Sequence, residues 1–383
     1  MNKPLKVCLI GSAQSIHVQR WAAFLTSRGH EVHIFSNFPG EVEGAKVWLL
    51  YSKKRYGNLA YFFSIWRAYR LLRALRPDII HFHYLGGASI YSLVCGFLDF
   101  PVVATPWGSD IYSKQTLKTQ LTRRLLEKSD KVITTSQAMN NFIQKSFNVD
   151  SKKLVTYSWG IDLNLFGPAS QEDKLALRET LGIPRSAFVI FSNRTMAPVY
   201  RTELIVKAFV RAKKEAPNLF LVLLEGPPLD PRREKYREQI KQMIKGSSES
   251  VKLVSGYIPP SVMSKYLKAS DAVVSIPCTD QRSTSVLEAL ASCPVVILSN
   301  IPPYLELQQE GYRFILLSEP VEENLVKAML AVQSVPLSRR ERWLQANYKL
   351  IAEKENWEIQ AAKIEREYYA LLERKHQTGY QRK

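Results

Sequence analysis

The sequence predicts an α/β protein made of two doubly wound, mostly parallel-sheet domains in series. Short apolar, β-rich runs alternate with helical runs through residues 6–156, and the alternation breaks in a Gly/Pro loop, GIDLNLFGPAS, at 160–170. It then restarts and runs through residue 298. Near-continuous apolar strands alternating with helices imply a parallel sheet covered on both faces. Two such runs imply two sheets, with boundaries expected at 1–165 and 166–383.

The elements follow in order. Lys6–Ile10 (KVCLI) reads as the first strand, and Ser15–Arg28 as a helix with Ile16, Trp21, Phe24 and Leu25 near one face. Glu31–Ser36 is the second strand. Leu59–Leu75 is a strong amphipathic helix that Pro77 ends before a strand at Asp78–Phe82. Pro101–Ala104, Lys131–Thr134 and Lys153–Thr156 follow as strands. In the second half the strands are Ala187–Ser192, Leu219–Leu224, Val251–Val254, Asp271–Ile276 and Pro294–Leu298. The tail from Leu337 to Lys375 is helical in character and ends in a basic stretch expected to fray.

Bulk properties narrow the function classes. Of 383 residues 46% are hydrophobic and 23% charged, which suits a soluble globular chain. No apolar run reaches the roughly 18 residues of a spanning helix, and the N-terminus passes straight into a strand, so a cytosolic protein is expected. Cys8, Cys95, Cys278 and Cys293 form no CxxC pair and read as small buried hydrophobes. No metal site is expected from these spacings. The net charge is +18, and residues 1–165 hold 21 basic against 10 acidic side chains. That balance suggests an anionic partner or simply a basic surface. No RNA- or DNA-binding motif accompanies it, so nucleic acid is not the expected partner.

In open α/β sheets ligands bind outside the carboxyl ends of the strands, so the loops there are where chemistry is expected. After the first strand comes Gly11-Ser12-Ala13-Gln14-Ser15-Ile16-His17. Gly11 allows close backbone approach to a ligand, and His17 either faces a ligand or packs. The GxGxxG fingerprint is absent, which disfavours a nicotinamide or flavin cofactor. His81 and His83 project to one face of their strand, His83 as a polar contact and His81 as core. In Thr105-Pro106-Trp107-Gly108-Ser109-Asp110 the Asp either caps a helix or meets ligand hydroxyls.

The strongest signal lies in the second half. Asp280 and Glu288 stand eight apart, with a helix beginning near Thr284 and Ser285 between them. Free N–H groups at a helix start suit a diphosphate, and carboxylates suit the donor-rich hydroxyls of a sugar or ribose. Arg194 ends a strand where it either offers a planar fork to phosphate oxygens or lies solvated on the surface. Arg201 follows seven residues on.

Together these segments resemble family 4 of the retaining glycosyltransferases, which have the GT-B fold of two Rossmann-like domains facing across a cleft, with a terminal helix crossing back to the N-domain. The resemblance rests on GSAQSIHVQRW, RPDIIHFHYLGG, ATPWGSDIY, KVITTSQAM, RTMAPVYRTELIVKAF, VKLVSGYIPPSVMSKYLKASDAVVSIP, TDQRSTSVLEALASCPVV and ENWEIQAAKIEREYYALL, in that order. It implies a nucleotide-sugar donor, commonly uridine-linked, and a glycan or lipid-linked acceptor. It implies no metal and no separate cofactor. Asp280 would contact the transferred sugar, Glu288 the ribose, and Arg194 with the backbone at Thr284 and Ser285 the diphosphate. Gly11 would line the site, with His17 and Asp110 as further catalytic candidates and His83 and Trp107 as sugar or acceptor contacts.

The sequence departs from the family pattern in four places. The first acid is Asp280 where Glu is usual. Gln281-Arg282-Ser283-Thr284-Ser285 replaces a Gly-rich stretch, with Arg282 expected either at phosphate or in solvent. Val199 stands where a Lys is familiar, so Arg201 is the substitute cation. Trp107 stands where a His often precedes Gly-Ser-Asp, and either stacks on a sugar or fills core. The competing readings are a sugar-nucleotide epimerase of the same fold and a non-catalytic nucleotide-sugar-binding protein.

The segment Tyr51–Arg76 interleaves Lys53, Lys54, Arg55, Arg67, Arg70, Arg73 and Arg76 with Tyr61, Phe62, Phe63, Trp66 and Tyr69, and Lys114–Lys128 adds a basic helix. Either an anionic membrane surface is a partner, or the aromatics are the core face of a sheet-covering helix.

Overall fold

Two wholly parallel sheets organise the chain, in a computed structural model that describes residues 3–51, 59–95, 97–112, 116–226 and 231–378. The first has seven strands: β1 (Lys6–Ile10), β2 (Glu31–Ser36), β3 (Ala45–Leu49), β4 (Ile79–His83), β5 (Val102–Thr105), β6 (Lys131–Thr134) and β7 (Leu154–Thr156), in the order β3-β2-β1-β4-β5-β6-β7. The second has six: β8 (Phe188–Thr195), β9 (Leu219–Gly226), β10 (Val251–Ser255), β11 (Ala272–Ser275), β12 (Val296–Ser299) and β13 (Ile315–Leu317), in the order β10-β9-β8-β11-β12-β13. The strand direction of travel therefore reverses between β1 and β4 in one sheet and between β8 and β11 in the other. Those switch points are where a doubly wound sheet opens a crevice for ligand.

The apolar strands are continuous because both faces are covered. On β8, Val189 and Phe191 enter one core cluster, while Phe188 and Ile190 enter the other. β12 divides the same way, Val296 and Leu298 against Ile297, with Val295 just before the strand on the Ile297 side. This period-2 split into two cores is what a helix layer on each face demands. Strands β3 and β13, absent from the sequence reading, are short edge strands of half-buried residues, where the apolar signal is weakest.

The two sheets nucleate two units, Met1–Ser158 with Glu358–Lys383, and Trp159–Trp357. The division falls seven residues before the expected boundary at 165/166, and the reason is local. Ile161 and Phe166 of the Gly/Pro loop are buried in the second core, and Ile161 bridges to Asn356. The expected helical tail is two helices, α5 (Leu337–Lys354) and α6 (Trp357–Thr378), separated at Glu355–Asn356. Most of α6 packs with the first unit instead of closing the second, through Ala361, Ile364, Tyr368 and Leu371 on one stripe. The basic tail at 379–383 lies outside the described residues.

Other elements read well. Helix α1 (Ile16–Ser27) buries Val18, Trp21, Ala22 and Leu25. Helix α2 (Ala60–Leu75) stops at Arg76 in the left-handed conformation, just before Pro77. Its buried face differs from the aromatic face considered above: Ala60, Ser64, Ala68 and Leu72 point inward. Of the cysteines, Cys8, Cys95 and Cys293 are buried, whereas Cys278 is exposed, contrary to expectation, because it sits in the loop leaving β11. Among the described residues no helix is long and apolar enough to cross a membrane.

Candidate active site

In the second unit the site grows from the neighbouring strands β8 and β11. Asp271, at the foot of β11, holds them in register: its carboxylate accepts from the Val189 N–H (2.7 Å) and the Arg178 guanidinium (2.6 Å) and pairs with Lys174. At the other end β8 shifts register between Ser192 and Thr195. Such an irregularity re-aims the side chains within it, and here those are Asn193 and Arg194. The loop leaving β11 carries Asp280, and it leads into helix α3 (Thr284–Ser292).

Arg194 and Asp280 meet, Nη2 to Oδ2 at 3.0 Å, each with about a tenth of its side chain exposed. The Arg194 guanidinium also donates to the hydroxyls of Ser283 and Ser285 and lies over the Tyr200 ring at 4.3 Å. Burial works against its charge, but Asp280 and the tyrosines around it outweigh that, so it is held above its ordinary pKa. Asp280 has a second partner, the hydroxyl of the fully buried Tyr304 on α4 (Pro302–Gln309), which donates to Oδ2 at 2.8 Å. Burial and then the Asp280 charge push that phenol well above its usual pKa, so it stays a donor at neutral pH.

Helix α3 presents its N-terminus to the same place. Ser283 occupies the N-cap but makes no side-chain cap; its hydroxyl faces Arg194 instead. Asn193 donates to the Ser285 carbonyl at 2.7 Å, fixing the first turn to the end of β8. The first-turn N–H dipoles, Thr284 among them, are thus held beside a guanidinium, which is the arrangement that stabilises a phosphate. Glu288 lies one turn further along the same helix, half-buried.

Two arginines are placed differently from expectation. Arg282 is neither solvated nor at a phosphate position: it is buried, donates to both Glu310 oxygens at 2.6 Å each, and pairs with Glu355. It pins the inter-acid loop to the end of α5. Arg201 sits in the left-handed conformation and donates to the carbonyls of Ile276 (3.3 Å) and Pro277 (3.2 Å), supporting the exit of β11.

In the first unit the loops after β1, β4 and β5 enclose a cavity of about 510 Å³ that includes Gly11, Ser12, His83, Tyr84, Trp107 and Asp110. A Cβ on Gly11 would come within 3.1 Å of the Val18 Cγ2 and 3.2 Å of the His83 Cβ, so a larger residue there would push its neighbours back by a few tenths of an ångström. His81 and His83 share a face with ring centroids 4.1 Å apart. His81 is core, hydrogen-bonded through Nδ1 to Tyr368 and through Nε2 to Thr105 at 2.7 Å. His83 is also buried, yet neither ring nitrogen has a partner. Burial, reinforced by His17, lowers its pKa to about 3, and burial with Arg20 lowers that of His17 to about 4. Both are neutral imidazoles at pH 7. Trp107 meets His17 edge-on at 5.1 Å and Tyr84 at 5.5 Å. Asp110 has its oxygens on backbone, Oδ2 on the Leu85 N–H (2.6 Å) and Oδ1 on the Trp107 N–H (2.9 Å). It clasps two cavity loops rather than capping a following helix or standing as an open base; burial raises its pKa against those hydrogen bonds. Among the described residues no group of three His, Cys, Asp or Glu side chains is arranged to hold a metal ion.

Residues 6–136 match the family model described as Glycosyl transferase 4-like, and residues 173–350 match Glycosyl transferases group 1. The chain belongs to glycosyltransferase family 4. The fold of this glycosyltransferase is GT-B. It is 22% identical over 348 residues to alpha-monoglucosyldiacylglycerol synthase of Acholeplasma laidlawii, covering 82% of each chain. It is 25% identical over 308 residues to the Streptococcus pneumoniae protein of the same name, covering 73% of this chain and 66% of that one. Among solved structures, Anabaena HepE in complex with UDP-glucose superposes with a TM-score of 0.79 at 17% identity, over 96% of this chain and all of that one.

Sequence reasoning missed Tyr304 in this glycosyltransferase, and it places Asn193 and Tyr200 near Arg194 without giving either a role. Asn193 adjoins Arg194 and was legible as a polar strand end. Tyr304 lies in an ordinary amphipathic helix, and nothing in its local pattern points to Asp280.

Proposed function

We propose that this glycosyltransferase moves a hexose from a uridine-diphosphate-linked donor to a hydroxyl of a glycan or lipid-linked acceptor, with retention of anomeric configuration and without a metal ion. The observation that carries the reading is Arg194, ion-paired to Asp280 at 3.0 Å and hydrogen-bonded to serines at the N-terminus of α3. A fixed guanidinium and a helix dipole together supply the positive charge that a departing diphosphate needs, which is the electrostatic work a metal does elsewhere. HepE was solved with UDP-glucose, which supports a uridine donor. Two relatives are named alpha-monoglucosyldiacylglycerol synthase, which supports a lipid acceptor.

In this scheme Arg194 and the α3 N–H groups, with Thr284 and Ser285, hold the diphosphate, and Glu288 accepts from the ribose diol. Asp280 accepts from the hexose. The cavity of the first unit, where neutral His83 offers hydrogen bonds and Trp107 and Tyr84 offer ring faces, is the place for acceptor groups. The acceptor oxygen bonds to the anomeric carbon on the face the diphosphate leaves. The bond to the phosphate oxygen breaks, and the acceptor proton passes to the departing diphosphate.

Thermal shift with a panel of nucleotide sugars tests the donor. UDP-hexose should stabilise the protein, and Glu288→Ala and Arg194→Ala should each abolish that gain. Stabilisation undiminished in both variants would refute the assignment. The anomeric configuration of the product, read by NMR with EDTA present, tests retention and metal independence together.

A further inference from the structure

We propose that the Arg194–Asp280 ion pair is an exchange lock, which an intact nucleotide-sugar donor opens at both ends and a spent nucleoside diphosphate opens at only one. Asp280 then selects the donor over the product, a role that rests on the donor reading above and governs what occupies that same site.

The two charged groups that a donor needs are engaged with each other. Arg194 directs Nη1 at the hydroxyls of Ser283 and Ser285, themselves 2.7 Å apart, and Nη2 at Asp280 Oδ2, at 3.0 Å. The Tyr200 ring covers the guanidinium at 4.3 Å. Asp280 Oδ2 also accepts from the Tyr304 hydroxyl (2.8 Å), and Oδ1 from the Gln281 N–H (2.9 Å). The frame around the pair is fixed: Tyr304 is fully buried on α4, and Asn193 ties the first turn of α3 to the end of β8. A diphosphate arriving here meets a cation whose charge is already balanced. A hexose hydroxyl meets a carboxylate that is already accepting hydrogen bonds.

Donor and product open this pair at different cost. A buried charge deprived of its partner is expensive, and more so beside a charge of its own sign. With the intact donor, a phosphate oxygen replaces Asp280 on Arg194 Nη2, and a hexose hydroxyl replaces Arg194 on Asp280 Oδ2. Neither charge is stranded. A nucleoside diphosphate supplies only the first replacement. It leaves Asp280 with Tyr304 and the Gln281 N–H, largely buried and facing a second anion. Once the hexose has gone, Asp280 therefore returns to Arg194 and displaces the diphosphate.

Isothermal titration of the full chain with UDP, UDP-hexose and inorganic pyrophosphate, at about 0.15 M salt, is the test. Asp280→Asn keeps the shape and removes the charge. It should bind UDP and pyrophosphate about tenfold more tightly than the parent, the scale of one charge-assisted hydrogen bond. Its gain for UDP-hexose should be about threefold or less, because the amide is also a weaker acceptor for the hexose. Asp280→Glu, which keeps the charge, should bind UDP as the parent does. Asp280→Ser repeats the measurement should the amide disturb folding. The lock is refuted if neither neutral variant binds UDP more tightly than the parent. It is equally refuted if UDP and UDP-hexose gain alike, the mark of simple relief of repulsion. A parent that binds no uridine nucleotide would overturn the donor reading and the lock together. A parent that binds UDP-hexose, with no selective gain in the neutral variants, would overturn the lock alone.

Discussion

At the scale of single residues, the site is a set of side chains whose charges are settled by their neighbours. Asp280 has a shorter arm than the Glu usual in the family, and it is held from two sides, by Arg194 at 3.0 Å and Tyr304 at 2.8 Å. Tyr304 is thus a positioning residue. Tyr304→Phe removes a hydrogen bond to a charged group, an interaction of about 1.5–3 kcal/mol. It should lower kcat about tenfold or more with little change in donor KM, and steady-state kinetics check this. An equal loss in thermal stability and in both constants would mean that the hydroxyl only supports folding. His83 gives a pH prediction. Its folded pKa is about 3, below the unfolded value of about 6.5, and that of His17 is about 4. On acidification the unfolded chain takes up these protons first. The stability associated with the neutral imidazoles is therefore complete above about pH 6.5 and is lost progressively as pH falls toward about 3. The melting temperature should drop across that window, and His83→Asn should flatten the drop; an unchanged slope would remove His83 from the account.

At the scale of elements, the turns between secondary structures decide more than the helices and strands themselves. Gly160 has φ +61°, and a Cβ placed on it would lie 2.7 Å from the Trp357 Cα and 2.9 Å from the Glu355 carbonyl oxygen. The backbone there leaves no space that a side chain shift would relieve. Gly160→Ala should cost about 1–3 kcal/mol, read as a lower urea midpoint with an unchanged m-value. The strands and long helices were legible because their apolar period is strong and local. The edge strands β3 and β13 were not, because three to five half-buried residues carry almost no period. The exposed aromatics of α2 show the limit of periodicity from the other side. Period alone would let either the aromatic stripe or the stripe of Ala60, Ser64, Ala68 and Leu72 face inward, and only the packed structure shows that the second does.

At the scale of the whole molecule, the first unit is completed by the last helix. Glu365 on α6 meets His30 at 2.9 Å and Arg28 at 3.3 Å, Glu367 meets Tyr157 at 2.7 Å, and Tyr368 bonds His81 beneath the cavity. Truncation after Asn356 would leave His30 and His81 without these partners and uncover the apolar stripe of α6. Calorimetry of the truncated chain should lose the transition belonging to the first unit; survival of that transition at its original temperature would show that α6 is an accessory.

The sequence alone determined the two parallel sheets, the loops that carry chemistry and the family pattern, because strand period, turn residues and ordered motifs are properties of neighbours along the chain. The family resemblance also implied that Arg194, Asp280 and Glu288 serve one site. The tertiary structure decided which polar groups meet across 20 to 90 residues: Arg194 with Asp280 and Ser283, Tyr304 with Asp280, and Arg282 with Glu310 and Glu355. Those pairings follow from strand order and helix packing. An arginine looks the same in sequence whether it pairs with a carboxylate at a helix N-terminus, as Arg194 does with Asp280, or pins a loop to distant carboxylates, as Arg282 does with Glu310 and Glu355.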